Sequence, residues 1–292
     1  MKIVLLGSNG QLGSDIKDSF SNNTDELSIE LEPLTRKDFD ISDSESMRKT
    51  LSELDFDVLI NCTGYHKTEE VESNASLGMK INAHAVSEIA NICQQNKAIF
   101  FHISTDYVFD GSKGSPYTES DTPAPINVYG ATKYMGETLA QQECKKTYVL
   151  RVASLFGISG SSGKGGNFIE NIISQASTEK ELNVVNDIYM SPTGTLFIAD
   201  VIKEMIIKQP TFGIYHVVND GQASWYEFAE YIINKLNFDA KLIPVSSSIY
   251  PSVSKRPKYS VLSPEKLIQI GMHVTSWKEE VDRYLLNRDS SS

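Results

Sequence analysis

The run Lys2-Ile-Val-Leu-Leu6 passes directly into Gly7-Ser-Asn-Gly10-Gln-Leu-Gly13. No other feature constrains the fold as tightly. An apolar run of this length reads as a buried strand, and G-x-x-G-x-x-G is a turn that opens a helix. Glycines there allow a tight turn and let backbone come close to a pyrophosphate. The helix start then offers free N–H groups and the positive end of its dipole to the anion. Gly7, Asn9, Gly10, Gln11, Leu12 and Gly13 are therefore candidate dinucleotide-binding residues.

The chain beyond this loop keeps the same rhythm. Segments 28–34, 57–62, 98–103 and 147–153 are short apolar runs, largely continuous rather than alternating. Such runs suit strands covered on both faces of a parallel sheet. Helical patterns lie between them near 12–20, 44–54, 75–95 and 127–143. Strand–helix–strand repetition predicts an α/β fold, a Rossmann-like doubly wound parallel sheet with right-handed crossovers. Past residue 160 the pattern loosens. Helices are expected at 167–177, 196–208, 224–236 and near 277–287, with one more strand at 213–219. The chain thus divides into a nucleotide-binding domain, 1–158 with returning segments near 194–218, and a smaller, less regular C-terminal substrate lobe, mainly 159–292. Ser159 to Gly166 reads SGSSGKGG and departs from a Walker loop, because Gly165 follows Lys164. It is expected to be a mobile loop.

Charge and cysteine content remove several function classes. A formal net charge of -11 repels phosphate backbones, which argues against nucleic acid as a partner. Cys62, Cys93 and Cys144 make neither a CxxC pair nor a metal spacing. The five histidines, His66, His84, His102, His216 and His273, are scattered, so no metal site is expected. No apolar stretch reaches the ~20 residues of a membrane helix, and the opening run is too short for a signal peptide. A cytoplasmic protein is the expectation. The G-x-S-x-G elbow of esterases is missing from the sequence.

The end of the second strand selects the cofactor. A carboxylate there binds a ribose 2′-hydroxyl. Here Leu34-Thr35-Arg36-Lys37 carries two cations, favouring a 2′-phosphate and hence NADPH over NADH. For chemistry, Y-x-x-x-K puts a phenol and an ammonium on one helix face. The cation favours phenolate, which makes the tyrosine a competent proton donor to a carbonyl. The pattern occurs twice, at Tyr129/Lys133 and Tyr231/Lys235. Tyr231 has the spacing of a core-facing helix residue. Tyr129 opens its helix 24 residues after Thr105, itself just past a strand. Ligands of open α/β sheets bind at the carboxyl ends of strands. Tyr129 and Lys133 are the catalytic candidates, with Thr105 as a hydroxyl able to hold the carbonyl.

Taken together, GSNGQLG (7–13), STDYVFDG (104–111) and VYGATKYMGE (128–137) resemble the extended short-chain dehydrogenase/reductases, and among them the dTDP-4-dehydrorhamnose reductase family. Gly166-Asn-Phe168, Ser191-Pro-Thr193, Ser224 to Ala229, and Arg256-Pro257 with Ser260 extend the resemblance along nearly the whole chain. It implies NADPH-dependent reduction of the C4 ketone of a nucleotide-linked 6-deoxy sugar. It implies that Tyr129 donates the proton, Lys133 holds the nicotinamide ribose and lowers the Tyr129 pKa, and Thr105 orients the carbonyl. Asp106, Tyr107 and Asn167 would meet the sugar, and Arg256 the pyrophosphate. Gln11-Leu12, Asp40-Ile41 and Thr63-Gly64-Tyr65 would line the cofactor. Mg²⁺ enters through the resemblance alone, and a homodimer is compatible with it. Two departures bear on the sugar: Ser154 stands where the family often has tryptophan, and Cys62 to His66 replaces an alanine-rich segment. An NAD-dependent sugar-nucleotide epimerase or dehydratase is the alternative enzyme on this scaffold. A regulatory subunit resembling the methionine adenosyltransferase β subunit is the non-enzymatic one.

Overall fold

The computed structural model describes residues 1–21, 28–159 and 166–290, so most of the Gly/Ser-rich run lies outside the described residues. Five strands, β1 (Lys2–Leu6), β2 (Glu30–Leu34), β3 (Val58–Asn61), β4 (Ile99–Thr105) and β5 (Thr147–Val152), join Gly213–His216 in one sheet. Every pairing in it is parallel, in the order Gly213–His216, β5, β4, β3, β1, β2. This is the doubly wound sheet that the alternating pattern predicted.

The continuous apolar runs have a simple cause. Alternate residues of each strand enter different cores. Ile3, Leu5, Val58, Ile60 and Phe101 pack with the helices Gln11–Ser21 and Thr195–Lys208. Val4, Leu6, Leu59 and Phe100 pack with Ser44–Ser52 and Ala85–Gln95 on the other face. Because the strands run in parallel, the Gly7 loop, the segment after Asn61 and the turn after Thr105 all emerge at one edge. Strand order reverses between β1 and β3, which opens the crevice there.

The segment expected to be one helix over 75–95 is more broken. Thr68–Ser73 and Ala75–Met79 precede a π-helical turn, Lys80–His84, before Ala85–Gln95. A π turn displaces one residue toward a site at little expense in hydrogen bonds; here it carries the buried Asn82.

The second core is built from Phe156, Ile169, Ile172, Phe228, Ile232 and Trp277. It is bordered by small strand pairs, among them the parallel pair Glu181–Val185 with Lys241–Val245. These short strands leave too few residues for a periodic signal. Leu267 and Met272, far along the chain, return to the first core. Among the described residues no helix is long and apolar enough to cross a membrane.

Candidate active site

The glycine loop is shaped by two close approaches. Gly7 has φ +77°, and its N–H and that of Ser8 both donate to the Leu34 carbonyl, at 3.0 and 3.1 Å. A Cβ on Gly13 would lie 2.1 Å from the Gly7 carbonyl oxygen. Helix Gln11–Ser21 therefore begins against the loop, with the N–H groups of its first turn unpaired within the helix. That is a cradle for an anionic dinucleotide. Leu12 sends its side chain into the first core, so only its backbone can serve a ligand. Gln11 reaches the Leu155 carbonyl at 3.4 Å, and Asn9 is exposed.

At the end of β2 the two predicted cofactor residues hold each other. The Arg36 guanidinium donates to Asp40 Oδ2 at 3.0 and 2.6 Å, and Asp40 Oδ1 accepts from Ser42 N–H at 2.9 Å. Arg36 is largely exposed, while Ile41 packs against the core that Val4, Leu6 and Leu59 form with helices Ser44–Ser52 and Ala85–Gln95. A carboxylate does stand at this strand end, contrary to the sequence reading. Asp38 folds back to accept from Thr35 N–H at 2.7 Å and Thr35 Oγ1 at 2.9 Å.

After β3, Asn61 Oδ1 accepts from Thr63 N–H at 3.0 Å and Thr63 Oγ1 at 2.5 Å. Asn82 then clamps the next peptide from both sides. Its Oδ1 accepts from Tyr65 N–H at 2.8 Å, and its Nδ2 donates to Tyr65 O at 3.1 Å and Thr132 Oγ1 at 3.0 Å. A Cβ on Gly64 would meet Asn82 Oδ1 at 3.3 Å and Lys133 Nζ at 4.0 Å. The loop after β3 thus runs beside Lys133.

Helix Val128–Glu143 carries Tyr129 and Lys133. Asn127 caps it by accepting from Gly130 N–H at 2.7 Å, and Glu72 accepts from Val128 N–H at 2.9 Å. A Cβ at Gly130 would sit 2.1 Å from Tyr107 O, so glycine is what lets the helix start reach the turn after β4. Thr105 caps that turn, accepting from Tyr107 N–H at 3.2 Å and donating to Asp106 Oδ1 at 3.0 Å. The Thr105 hydroxyl lies close enough to act on the Tyr129 phenol, whose ring meets Tyr107 edge-on at 5.9 Å. Phenol, threonine hydroxyl and buried carboxyl are therefore neighbours, with Thr105 bonded to Asp106.

The electrostatics derive from burial. Desolvation raises the Tyr129 phenol, opposed by the Thr105 hydrogen bond. It raises the Asp106 carboxyl to about 6 and the Tyr107 phenol to about 12. Lys133 is lowered to about 8, chiefly by burial, with Glu137 and Cys62 pulling the other way. Its ammonium donates to Ile103 O at 2.6 Å and stands 3.5 Å from His102 Nε2. Burial and the Thr105, Asp106 and Tyr107 neighbours are what act on the phenol here, while the Lys133 ammonium is held by Ile103 and His102.

Since kcat/KM reports the free enzyme, it is expected to fall as pH rises through about 8, where Lys133 gives up its proton. A profile that stays flat across that range would show that the charge on Lys133 takes no part.

Two predicted substrate residues diverge. Arg256 stands near the mouth, with Nη2 at 3.6 Å from Glu69 Oε1. Asn167 does not join the site. It caps helix Phe168–Ala176 by accepting from Glu170 N–H at 3.0 Å, and its Nδ2 donates to Gly157 O at 2.9 Å and Tyr284 OH at 3.0 Å. With those bonds made and the residue buried, Asn167 has a structural role instead. The second Y-x-x-x-K pair is also structural: Tyr231 and Lys235 both bind Asp282, at 2.9 and 2.7 Å.

Sequence reasoning missed Asn61, Asn82, His102 and Glu69. A lone polar residue within an apolar strand was the available signal for Asn61 and His102. Nothing local marks the other two. Among the described residues no three His, Cys, Asp or Glu side chains gather to hold a metal ion.

A family model, the RmlD substrate binding domain, matches residues 1–289. The spore coat polysaccharide biosynthesis protein SpsK of Bacillus subtilis is 32% identical over 290 residues, 99% of each chain. The crystal structure of a dTDP-4-dehydrorhamnose reductase from Clostridium acetobutylicum superposes with a TM-score of 0.90 at 34% identity, covering 98% of both chains. That of a dTDP-4-dehydrorhamnose reductase from Bacillus anthracis, solved in complex with NADP, gives 0.89 at 31% identity, covering 98% of this chain and 99% of the other.

Proposed function

The chain belongs to the RmlD substrate binding domain family, and from that premise we propose that it is an NADPH-dependent oxidoreductase. It reduces the C4 ketone of a nucleotide-linked 6-deoxy sugar, dTDP-4-dehydro-6-deoxy-L-mannose, to dTDP-L-rhamnose. One observation carries the reading: the Tyr129 phenol lies beside Thr105 at the carboxyl edge of the sheet, on the helix whose Lys133 lies beside the Gly64 loop.

NADPH, when bound, supplies the hydride that goes to the carbonyl carbon. The glycine loop and the first turn of helix Gln11–Ser21 would hold its pyrophosphate. Arg36, largely exposed, would meet the 2′-phosphate, and Asp40 has its own bond from Ser42 N–H. Lys133 and the Gly64 backbone would hold the nicotinamide end. Tyr129 gives its proton to the carbonyl oxygen. Burial keeps the phenol protonated at neutral pH until the carbonyl oxygen takes its proton. The hydride and this proton complete the alcohol. Thr105 must exchange its bond to Asp106 to reach the carbonyl directly.

The test is NADPH oxidation followed by absorbance with dTDP-, UDP- and GDP-linked 4-keto sugars, repeated with NADH. Turnover is expected with the dTDP-linked ketone and with NADPH preferred. Equal or reversed preference would show that Arg36 faces solvent throughout. A sugar interconverted without net NADPH consumption would point to an epimerase. No turnover of any ketone would overturn the reading.

A further inference from the structure

Helix Thr68–Ser73 directly follows the cofactor-side loop, and Glu69 lies in its first turn. The Glu69 carboxylate gathers donors from a loop more than 180 residues away. It accepts from the Ser252 hydroxyl, from Val253 N–H at 2.9 Å and from Ser254 N–H at 3.1 Å. Arg256 of the same loop stands farther off, at 3.6 Å. The ordering matters: the Ser252 hydroxyl and the Ser254 N–H do most to hold this carboxyl below its usual range, and Arg256 does least. Glu69 therefore grips the loop backbone and leaves the guanidinium loosely held.

Two further contacts place this loop against the catalytic helix. Asn127, the residue that caps the Tyr129 helix, donates to Lys255 O at 2.8 Å. A Cβ at Gly111 would fall 2.6 Å from Pro257 Cβ, so the turn after β4 packs on the loop's far end. Arg256 and Glu69 both act electrostatically on the Tyr107 phenol, whose ring lies against Tyr129. The loop also holds a buried hydroxyl, Ser254 Oγ, with no partner among the described residues.

We propose that Glu69 is a positioning residue: it pins the 252–256 loop to helix Thr68–Ser73, beside the helix that carries Tyr129, so that Arg256 is presented to the diphosphate of the substrate. The inference rests on the reading of the substrate as a nucleotide sugar. A guanidinium fork suits two phosphate oxygens, and its affinity for them depends on where the fork is held. Losing Glu69 removes the shared acceptor of three loop donors and lets Arg256 drift.

The test uses the full chain loaded with NADPH, titrated with dTDP and, by NMR, with thymidine, which has the same base and sugar without phosphates. Glu69→Ala is expected to weaken dTDP at least ~10-fold while thymidine and NADPH bind as in wild type. The isosteric Glu69→Gln moves the same way by less. In turnover, KM rises and kcat stays within about threefold. Arg256→Ala added to Glu69→Ala is expected to weaken dTDP little further, because both act through one contact. Unchanged or tighter dTDP binding in Glu69→Ala would overturn the inference, as would equal loss of dTDP, thymidine and NADPH. A wild-type chain that binds no dTDP would instead take down the nucleotide-sugar reading, and the inference with it.

Discussion

A Tyr129→Phe chain is expected to turn over its keto-sugar at least ~100-fold more slowly than wild type, the lower end of what a positioned proton donor contributes. The substitution removes one oxygen and little else. The ring's edge-on contact with Tyr107 at 5.9 Å is kept. The Asn127 cap and the close approach at Gly130 involve backbone, so the helix start is undisturbed. Thr105 retains its bonds to Tyr107 N–H and Asp106. The dissociation constant for NADPH should therefore stay within about twofold, and the loss should fall on kcat and kcat/KM alike, which marks an interaction made in the transition state. Turnover close to wild type would mean that another group protonates the carbonyl oxygen, and Tyr129 would lose its role as proton donor. A large loss of NADPH affinity would place the defect in cofactor binding rather than in proton transfer.

The second large effect concerns a pair that takes no direct part in chemistry. Arg151 on β5 and Glu137 on the catalytic helix form a bidentate ion pair, with N–O distances of 2.8 to 3.2 Å and side chains 1% and 2% exposed. Ser104 Oγ donates to Glu137 Oε1 at 2.5 Å, and Arg151 lies over the Phe109 ring, 5.1 Å from its centroid. Arg151→Met would leave the Glu137 carboxylate buried with Ser104 as its remaining close donor. Breaking one side of such a pair destabilises by ~3–5 kcal/mol. For a chain of this size the melting temperature should fall on the order of 10 °C. Replacing both, as Glu137→Leu with Arg151→Met, should recover most of that loss, because no unpaired charge remains. The double variant carries a second signature. Glu137 raises the Lys133 pKa, so its removal should move the alkaline limb of kcat/KM to lower pH. A single variant as stable as wild type would show that water or a neighbour compensates the stranded carboxylate. A double variant with an unmoved limb would show that Glu137 does not act on Lys133.

Much of this protein was legible from local pattern. Most strands of the main sheet and their crossover helices can be read from continuous apolar runs, because a strand covered on both faces needs no polar alternation; the edge strand β2 is largely exposed and carries glutamates instead. The glycine loop is marked by its junction with β1. The choice of Tyr129 over Tyr231 comes from position, one at the start of a helix beyond a strand end, the other within a core-facing stripe. These are short-range facts, and a chain carries them in consecutive residues. The short strands Glu181–Val185 and Lys241–Val245 were not legible, since five residues stabilised by a partner about 60 positions away carry almost no signal of their own.

What the amino-acid sequence determined alone was the parallel α/β frame, the anion cradle after β1, and a phenol and an amine one helical turn apart. Tertiary structure alone decided the state and employment of those groups. Lys133 meets Ile103 and His102, and burial lowers it to about 8. Asn167 became a cap, and Glu69 became the tether of a loop across the chain. A side chain's pKa and hydrogen-bond partners depend on the dielectric and the groups that folding brings around it, and those neighbours come from distant parts of the sequence.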